Sequence, residues 1–169
     1  MSIKSTHPLP PTSMLTLDEQ FCFALYSASH AMTKTYKPML ERLGLTYPQY
    51  LVMLVLWEQD GILVKDIGAR LYLDSGTLTP LLKRLESGGM LTRARDPHDE
   101  RQVRITLTRA GQAMRAQAEA IPEQLLCASG QEAHTLTRLR AELAAVRNDL
   151  FNAISDSQDQ EASDGDRQS

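Results

Sequence analysis

Residues 71–89 read LYLDSGTLTPLLKRLESGG, and this stretch contains the start, body and end of one short helix. Asp74 or Ser75 can cap its first turn, and the pair Gly88-Gly89 is typical of a helix end. Upstream, Val64–Leu71 predicts a helix of two turns, which leaves three residues for the connection. Two short helices joined by a tight turn indicate a helix-turn-helix.

A β-hairpin should follow this pair of helices. Leu91–Arg95 is one candidate strand, and apolar residues alternate with polar ones across residues 103–107. The polar residues 96–101, which read DPHDER, separate the two strands. This order predicts a winged helix-turn-helix over residues 47–108, so the expected fold class is mainly α with a small β-wing.

Helices are also expected on the N-terminal side of this domain. Residues 1–15 contain three prolines and predict a flexible arm. The sequence Thr16-Leu17-Asp18-Glu19 fits a capping box, so the first helix should begin there and occupy the segment 16–46, which we assign to dimerisation. Pro38 falls late in that helix, where proline kinks or interrupts the pattern. A second helix should begin near Pro48.

The C-terminal segment 109–154 is predicted to be helical and to carry a narrow apolar seam. Its members recur every three or four residues and are Leu136, Leu139, Leu143, Val146, Leu150 and Ile154. Such spacing is typical of a coiled-coil contact, so we expect two copies of the chain to meet here in a twofold dimer. The alternative is that this helix packs only on its own chain. Residues 155–169 predict an acidic, disordered tail.

Charge is distributed unevenly along the chain. The net charge of the 169 residues is −3 at pH 7, but the predicted tail alone carries five acidic residues against one arginine. Residues 61–110 carry nine basic and six acidic residues, so positive charge is in excess in the predicted DNA-binding region. The alternative interpretation of this modest excess is an ordinary solvated surface.

Length and composition exclude several other classes of protein. A chain of 169 residues is about one domain, and 42% hydrophobic residues are enough to form a core. The longest apolar run, residues 50–57, is far below the roughly 20 residues that span a bilayer. With no apolar leader at the N-terminus, we expect a cytoplasmic protein with no membrane partner and with its cysteines as thiols. The histidines are scattered, so neither a metal nor a cofactor is expected.

Side chains for DNA contact are expected at two places. The second helix of a helix-turn-helix inserts its N-terminal residues into the major groove, and an arginine at a hairpin tip can enter the minor groove. The candidates are Asp74, Ser75, Thr77, Thr79, Lys83 and Arg84 on the helix, Arg93 and Arg95 on the strand, and Asp99 and Arg101 in the loop. Asp99 is expected to hold the Arg101 guanidinium by charge-assisted hydrogen bonds. The alternative for the hydroxyl residues is ordinary helix capping.

Both cysteines fall on predicted helices. Cys22 follows the expected start of the first helix by about two turns, and a helical cysteine is most often a small buried hydrophobe. Tyrosine hydroxyls can donate hydrogen bonds to its sulfur, and four of the five tyrosines lie between residues 26 and 50. Tyrosines are equally common as core residues. Cys127 lies near the end of a later helix, where fraying would let it reach a partner.

A resemblance to a known family rests on two sets of residues. The first is LDSGTLTPLLKRLE at residues 73–86 with Asp99-Glu100-Arg101 in the loop, which resembles the MarR family of winged helix repressors. The second is FCFALY at 21–26 with LTYPQY at 45–50, which is similar to the organic hydroperoxide resistance regulators of that family. The resemblance covers roughly residues 15–154, so it leaves out only the N-terminal arm and the acidic tail.

This resemblance implies a homodimeric repressor that binds a palindromic operator in double-stranded DNA when reduced. An organic hydroperoxide would then oxidise Cys22 and release the DNA. The resemblance further implies that Tyr36 and Tyr47 hydrogen-bond the Cys22 sulfur across the dimer. Cys127 of the other subunit would close a disulfide with Cys22, which makes the first helix a redox-sensing element as well as a dimerisation element.

Two other functions fit parts of the same pattern. A MarR-type repressor released by a small phenolic ligand would keep the fold and the wing, and its Cys22 would merely be buried. A thiol peroxidase would also use two cysteines, but it has no need of a basic winged helix. We therefore expect a regulator and not an enzyme.

Overall fold

The computed structural model describes residues 15–165, with side chains as far as residue 156. The helices are α1 (Phe21–Glu41), α2 (Tyr47–Glu58), α3 (Val64–Leu71), α4 (Ser75–Ser87), α5 (Arg109–Ala118), α6 (Ile121–Ser129) and α7 (Ala133–Gly165). The strands are β1 (Ile62–Leu63), β2 (Leu91–Arg95) and β3 (Val103–Leu107). The predicted fold class, mainly α with a small β-wing, is confirmed. None of the described helices is long and apolar enough to cross a membrane.

The helix-turn-helix has the bounds that its capping and turn residues predict. Tyr72 turns the chain between α3 and α4 with a φ of 56°, and the Leu73 amide donates to the Gly68 carbonyl at 3.0 Å. Glycine is needed at position 68 because a Cβ atom there would lie 2.8 Å from the Leu73 carbonyl oxygen. This close approach holds α3 against the segment that leads into α4.

The wing belongs to a sheet of three strands with the order β1-β3-β2. β2 and β3 form the predicted hairpin, in which Arg93 lies opposite Ile105. β1, which was not expected from the sequence, pairs antiparallel with β3 and places Ile62 opposite Ile105. Two residues are too short for a period of two to be visible, so only the fold reveals this strand.

The N-terminal helix begins later than the capping-box pattern predicts. Glu19 donates its amide to the Thr16 carbonyl at 3.2 Å, so residues 17–19 form a single 3-10 turn. Gln20 is extended, and α1 then begins at Phe21. The predicted start at Thr16 is therefore wrong, and Cys22 lies in the first turn of α1. Pro38 does not interrupt α1.

The core of the winged domain is built around α2. Its buried residues lie on most sides of the helix and include Tyr50, Val52, Met53, Val55 and Leu56. A helix that is apolar all round is typical of a domain interior. α4 packs its own buried leucines, Leu78, Leu82 and Leu85, into the same cluster. The polar face of α4 is thereby left at the surface.

The chain divides into two compact units, one ending at Ile121 and the other beginning at Pro122. The second unit contains the rest of α6 and all of α7. The backbone of α7 is helical as far as Gly165, so the prediction of a disordered tail from residue 155 is wrong for residues 155–165. The predicted flexible arm lies outside the described residues except for Leu15, and so do residues 166–169 of the tail.

Candidate nucleic-acid interface and thiol site

Helix capping accounts for two of the predicted DNA-contact residues at the start of α4. The Thr77 amide donates to Asp74 Oδ1 at 2.8 Å, and the Thr77 hydroxyl donates to Asp74 Oδ2 at 2.9 Å. These two hydrogen bonds from Thr77 hold the pKa of the Asp74 carboxyl below its usual range. Asp74 and Thr77 therefore fix the N-terminus of the helix, and the capping alternative describes them better than direct base contact.

Two further hydroxyl residues face a cleft between α4 and the wing. The Thr79 hydroxyl donates to the Ser75 carbonyl at 2.7 Å, which leaves its oxygen able to accept. The cleft has a volume of about 250 Å³. Its polar lining consists of Lys65, Ser75, Thr79, Arg93, Arg101 and Gln102. Three cations and no acidic side chain line this cleft, which suits a phosphate group.

Arg101 lies in the wing with an exposed side chain, but Asp99 does not hold its guanidinium. Asp99 accepts from the Arg101 backbone amide at 3.1 Å and from Gln102 Nε2 at 2.8 Å. These bonds lower the pKa of Asp99, and the bond from Gln102 has the largest effect. The expected guanidinium contact is therefore wrong. Asp99 shapes the loop, and within the described part of the chain no hydrogen-bond or ion-pair partner is found for the Arg101 guanidinium.

Asp96 and Arg104 anchor the base of the wing, and neither is among the residues predicted from the sequence. Asp96 is 4% exposed and accepts from Arg104 Nε at 2.9 Å and from the His98 amide at 2.9 Å. These bonds hold the pKa of Asp96 below its usual range, and the bond from the His98 amide has the largest effect. Arg104 Nη1 also donates to the Gly61 carbonyl. One arginine thus ties the hairpin to the loop that precedes β1.

The remaining basic candidates differ in how far they are free to meet DNA. Arg93 pairs with Glu86, with 3.8 Å between Nε and Oε2, and Arg95 Nη1 donates to the Glu100 carbonyl at 3.2 Å. Lys83 and Arg84 are exposed on α4. Lys65, at the start of α3, joins the cleft although sequence reasoning did not single it out.

Cys22 is exposed and lies in the first turn of α1. At that end of a helix the backbone N–H groups lack intrahelical partners, and the helix dipole favours a negative charge. Because Cys22 is exposed, the alternative of a small buried hydrophobe does not describe it within the single chain. Apolar side chains around it are exposed as well, with Phe21 at 55% and Tyr26 at 67%.

Three tyrosines form an aromatic cluster between α1 and α2. The ring centroid of Tyr36 lies 4.8 Å from that of Tyr47 and 5.8 Å from that of Tyr50. Burial, with the neighbouring Tyr47 and Tyr50, raises the pKa of Tyr36 to about 12, and burial also raises the pKa of Tyr47. Both hydroxyls therefore stay protonated at neutral pH and can donate hydrogen bonds.

One chain does not bring these tyrosines to its own Cys22. Cys22 and Tyr36 are on the same helix and 14 residues apart, which is about 21 Å along the axis. Tyr47 packs against Tyr36, so it too lies far from Cys22 of the same chain. Any hydrogen bond from these hydroxyls to a Cys22 sulfur must come from a second copy of the chain.

The second unit carries the other cysteine and the predicted seam. Cys127 is exposed near the end of α6, which Gly130 closes with a φ of 64°. The seam leucines of α7 are also exposed, with Leu139 and Leu143 at 42% and Leu150 at 58%. No group of three or more metal-ligating side chains is found within residues 15–156.

Known proteins share both sequence and fold with this chain. Residues 34–118 match the family model described as the transcriptional regulator SarA/Rot. The HTH-type transcriptional regulator TtmR of Methylorubrum extorquens is 51% identical over 138 residues, which cover 80% of this chain and 69% of TtmR. The organic hydroperoxide resistance transcriptional regulator of Bacillus subtilis is 49% identical over 136 residues, which cover 80% of this chain and 92% of that regulator.

Solved structures of AbfR have the same fold. The Staphylococcus epidermidis protein is 40% identical, with a TM-score of 0.68 over 80% of this chain and 94% of AbfR. Reduced AbfR bound to DNA is 39% identical, with a TM-score of 0.66 over 79% of this chain and 93% of AbfR. A disulfide-formed AbfR is 40% identical, with a TM-score of 0.56 over 77% of this chain and 91% of AbfR.

Proposed function

We propose that this chain, which belongs to the MarR family of winged helix transcriptional regulators and to the same group as the organic hydroperoxide resistance regulators, is a peroxide-sensing repressor. In the reduced state a homodimer binds a palindromic operator. An organic hydroperoxide oxidises Cys22, and the oxidised dimer releases the DNA.

The observation that carries this proposal is the position of Cys22. It is an exposed thiol in the first turn of a helix, open to a peroxide from solution, and its apolar neighbours are exposed with it. A cysteine that only packed within its own chain would be buried there. The apolar surroundings favour an alkyl hydroperoxide over hydrogen peroxide.

The chemistry requires two steps. The Cys22 thiolate attacks the terminal oxygen of the hydroperoxide, the O–O bond breaks, and the alkoxide leaves and takes up a proton to become an alcohol. The product is a sulfenic acid. The thiol of Cys127 from the other subunit then attacks the sulfenic sulfur, which forms a disulfide and expels water. Thiols in the cell can reduce this disulfide and restore the repressor.

The tyrosine cluster supplies donors for the first step. In the proposed dimer, Tyr36 and Tyr47 of one subunit reach Cys22 of the other. Their raised pKa values keep both hydroxyls protonated, so each can donate to the thiolate. The disulfide-formed state of AbfR, a relative with the same fold, supports the second step.

Removing one of these hydroxyls should slow oxidation. We expect Tyr36→Phe and Tyr47→Phe each to form sulfenic acid more slowly with cumene hydroperoxide, because the thiolate loses a hydrogen-bond donor while the ring packing is kept. Stopped-flow measurement of sulfenic acid formation checks this. Tyr50→Phe is the matched control, since Tyr50 belongs to the same cluster but is not a proposed donor. Equal rates in all four proteins would show that the tyrosines only pack.

The cleft beside α4 and the exposed wing supply the DNA contacts. Lys65, Arg93 and the hydroxyls of Ser75 and Thr79 suit a phosphate, while Arg101 projects from the wing and suits the minor groove. Lys83, Arg84 and Arg95 are proposed to meet phosphates farther out. Asp74, Thr77 and Asp99 act by fixing the helix start and the loop.

Loss of the wing arginine should weaken operator binding. Arg101→Ala is expected to cost about 1–3 kcal/mol of binding free energy, which is the range for an arginine that contacts a base edge. Fluorescence anisotropy with a labelled operator duplex measures the change. Arg42→Ala, which removes an exposed arginine just after α1 and outside the cleft, should bind normally. An unchanged affinity in folded Arg101→Ala would remove this residue from the interface.

One experiment tests the function as a whole. An operator is first selected from random duplexes by the reduced protein, and its binding is measured with and without cumene hydroperoxide. We expect the wild type to lose binding and to regain it with dithiothreitol, and Cys22→Ser to bind in both conditions. Release of Cys22→Ser by hydroperoxide would contradict the proposal. Release of both proteins by a phenolic ligand alone would favour the ligand-responsive alternative, and multiple turnovers with a thiol reductant would indicate a peroxidase.

A further inference from the structure

An aromatic row of four side chains leads from α1 to the C-terminal end of α2. It begins with Tyr47 and Tyr36, and the ring centroid of Tyr36 lies 5.8 Å from that of Tyr50. The centroid of Tyr50 lies 6.3 Å from that of Trp57, and these two rings meet edge to face. Tyr50 is only 3% exposed. Because the interior is closely packed, a shift of one ring displaces the next.

The far end of the aromatic row is fastened to α5. Trp57 Nε1 donates to the Gly111 carbonyl at 2.9 Å. In return, Arg115 Nη1 donates to the Trp57 carbonyl at 3.3 Å. Trp57 is half-buried, so little water competes for its N–H group. Two contacts of one residue therefore join the aromatic row to the first turns of α5.

α5 is joined in turn to the start of the wing. Gly111 packs so closely on Met90 that a Cβ atom at position 111 would collide with the Met90 carbonyl oxygen. The Thr108 amide donates to the same carbonyl at 3.0 Å, and the Thr108 hydroxyl donates to the Gly89 carbonyl at 2.6 Å. Met90 directly precedes β2. A displacement of the start of α5 is thus passed to the first strand of the wing.

The near end of the aromatic row holds the two hydroxyls that we assign to peroxide sensing. In the proposed dimer, Tyr36 and Tyr47 donate to the thiolate of Cys22 of the partner subunit. Oxidation removes the negative charge that accepts these hydrogen bonds, so the rings lose the contact that holds them in place. Coupling between separate sites is carried by packed side chains and hydrogen bonds of this kind.

We propose that Trp57 is a positioning residue that transmits the oxidation of Cys22 to the wing, through the aromatic row and the start of α5. This inference rests on the peroxide-sensing function proposed above. Trp57 touches neither the thiol nor the DNA in this proposal, and it acts through Gly111. A protein without the Nε1–carbonyl bond should therefore still be oxidised but should release less of its DNA.

Trp57→Phe tests this directly, because it keeps an aromatic ring and removes the N–H donor. The operator dissociation constant of the full-length protein is measured before and after treatment with cumene hydroperoxide, and the oxidised value is divided by the reduced one. We expect this ratio to be about fivefold smaller than in the wild type, which is the scale of one hydrogen bond. The rate of sulfenic acid formation at Cys22 should not change.

Leu56→Val is the matched control for this variant. Leu56 is buried beside Trp57 in the sequence but is not a member of the aromatic row. The substitution should lower the melting temperature and keep the wild-type ratio of dissociation constants. A wild-type ratio in Trp57→Phe would overturn the inference. A Trp57→Phe protein that loses the same affinity in both redox states would also overturn it, since Trp57 would then only support the fold.

Tryptophan fluorescence gives a second measurement, because Trp57 is the only tryptophan of the chain. After the hydroperoxide is removed, the emission of the oxidised wild type should differ from that of the reduced protein and return with dithiothreitol. Tyr50→Leu interrupts the aromatic row and should abolish this response although Cys22 is still oxidised, whereas Tyr50→Phe should keep it. Unchanged emission in the oxidised wild type, or a response that survives Tyr50→Leu, would contradict the proposal.

The wild type separates this inference from the proposed function. If oxidation of Cys22 does not release the operator from the wild type, the sensor function itself fails. If the wild type releases the operator and Trp57→Phe releases it equally well, the sensor function holds and transmission through Trp57 is wrong.

Discussion

Replacing Cys127 by serine should abolish the covalent dimer that forms when an organic hydroperoxide is added, while the first oxidation at Cys22 proceeds. The wild type should run as a disulfide-linked dimer on a non-reducing gel. The Cys127→Ser protein should run as a monomer and react with dimedone, which traps sulfenic acid. Excess hydroperoxide should then overoxidise its Cys22, so that dithiothreitol no longer restores DNA binding.

The reason for this large effect is the order of the two steps. In the proposed mechanism Cys127 enters only after the sulfenic acid has formed, and a disulfide requires the two alpha carbons to come within about 7 Å. The covalent link therefore draws α1 of one subunit towards α6 of the other. Such a movement can rotate the two DNA-binding domains away from the spacing of the operator half-sites.

Cys22→Ser serves as the control for this prediction. It should form neither the covalent dimer nor the dimedone adduct, which distinguishes loss of the first step from loss of the second. If the wild type shows only monomeric bands after complete loss of DNA binding, the intersubunit disulfide is excluded. The signal would then be the sulfenic acid itself or a disulfide with a small thiol.

The parts of the fold that depend on local chemistry were predictable from the sequence. The bounds of α3 and α4 follow from a capping residue, a tight turn and a pair of glycines, all of which act within a few residues. The hairpin of β2 and β3 follows from its alternation and its polar loop. The capping-box pattern at Thr16 failed because those residues make a 3-10 turn and Gln20 is extended.

The site was predicted less completely because it depends on contacts between distant residues. Lys65 joins the cleft only when α3, α4 and the wing come together. Arg104 meets Asp96 across the hairpin, so the pairing depends on the strand register. Asp99 and Arg101 were expected to interact, and they do, but through the arginine amide. A sequence pattern names the residues that interact and does not decide which atoms meet.

Cys22 shows how one boundary changes a functional interpretation. A start at Thr16 would place it in the second turn of the helix, where the helix dipole has little effect. The observed start at Phe21 places it in the first turn. The resemblance implies that Tyr36 and Tyr47 reach Cys22 across the dimer, and the fold adds that they do not reach it within one chain. This follows from the length of α1, which separates Cys22 from its own Tyr36.

Introducing a charge into the α7 seam should dissociate the dimer. Leu143 is 42% exposed in the single chain although it belongs to a continuous apolar stripe, and we assign the cover of that stripe to a second copy. Leu143→Asp removes apolar contact from both subunits, about 3 kcal/mol in total, and it also buries two carboxylates. The dimer dissociation constant should therefore rise at least about a hundredfold. Sedimentation velocity at low micromolar concentration measures the change.

The matched control lies two residues away. Ala141 is exposed and, at about 100° per residue, lies on the opposite side of α7 from Leu143. Ala141→Asp adds the same charge to the same helix, and it should leave the dimer intact. Because a palindromic operator needs two DNA-binding domains, Leu143→Asp should also lose operator affinity while Ala141→Asp retains it. A stable Leu143→Asp dimer would mean that α7 packs only on its own chain and that the subunits meet elsewhere.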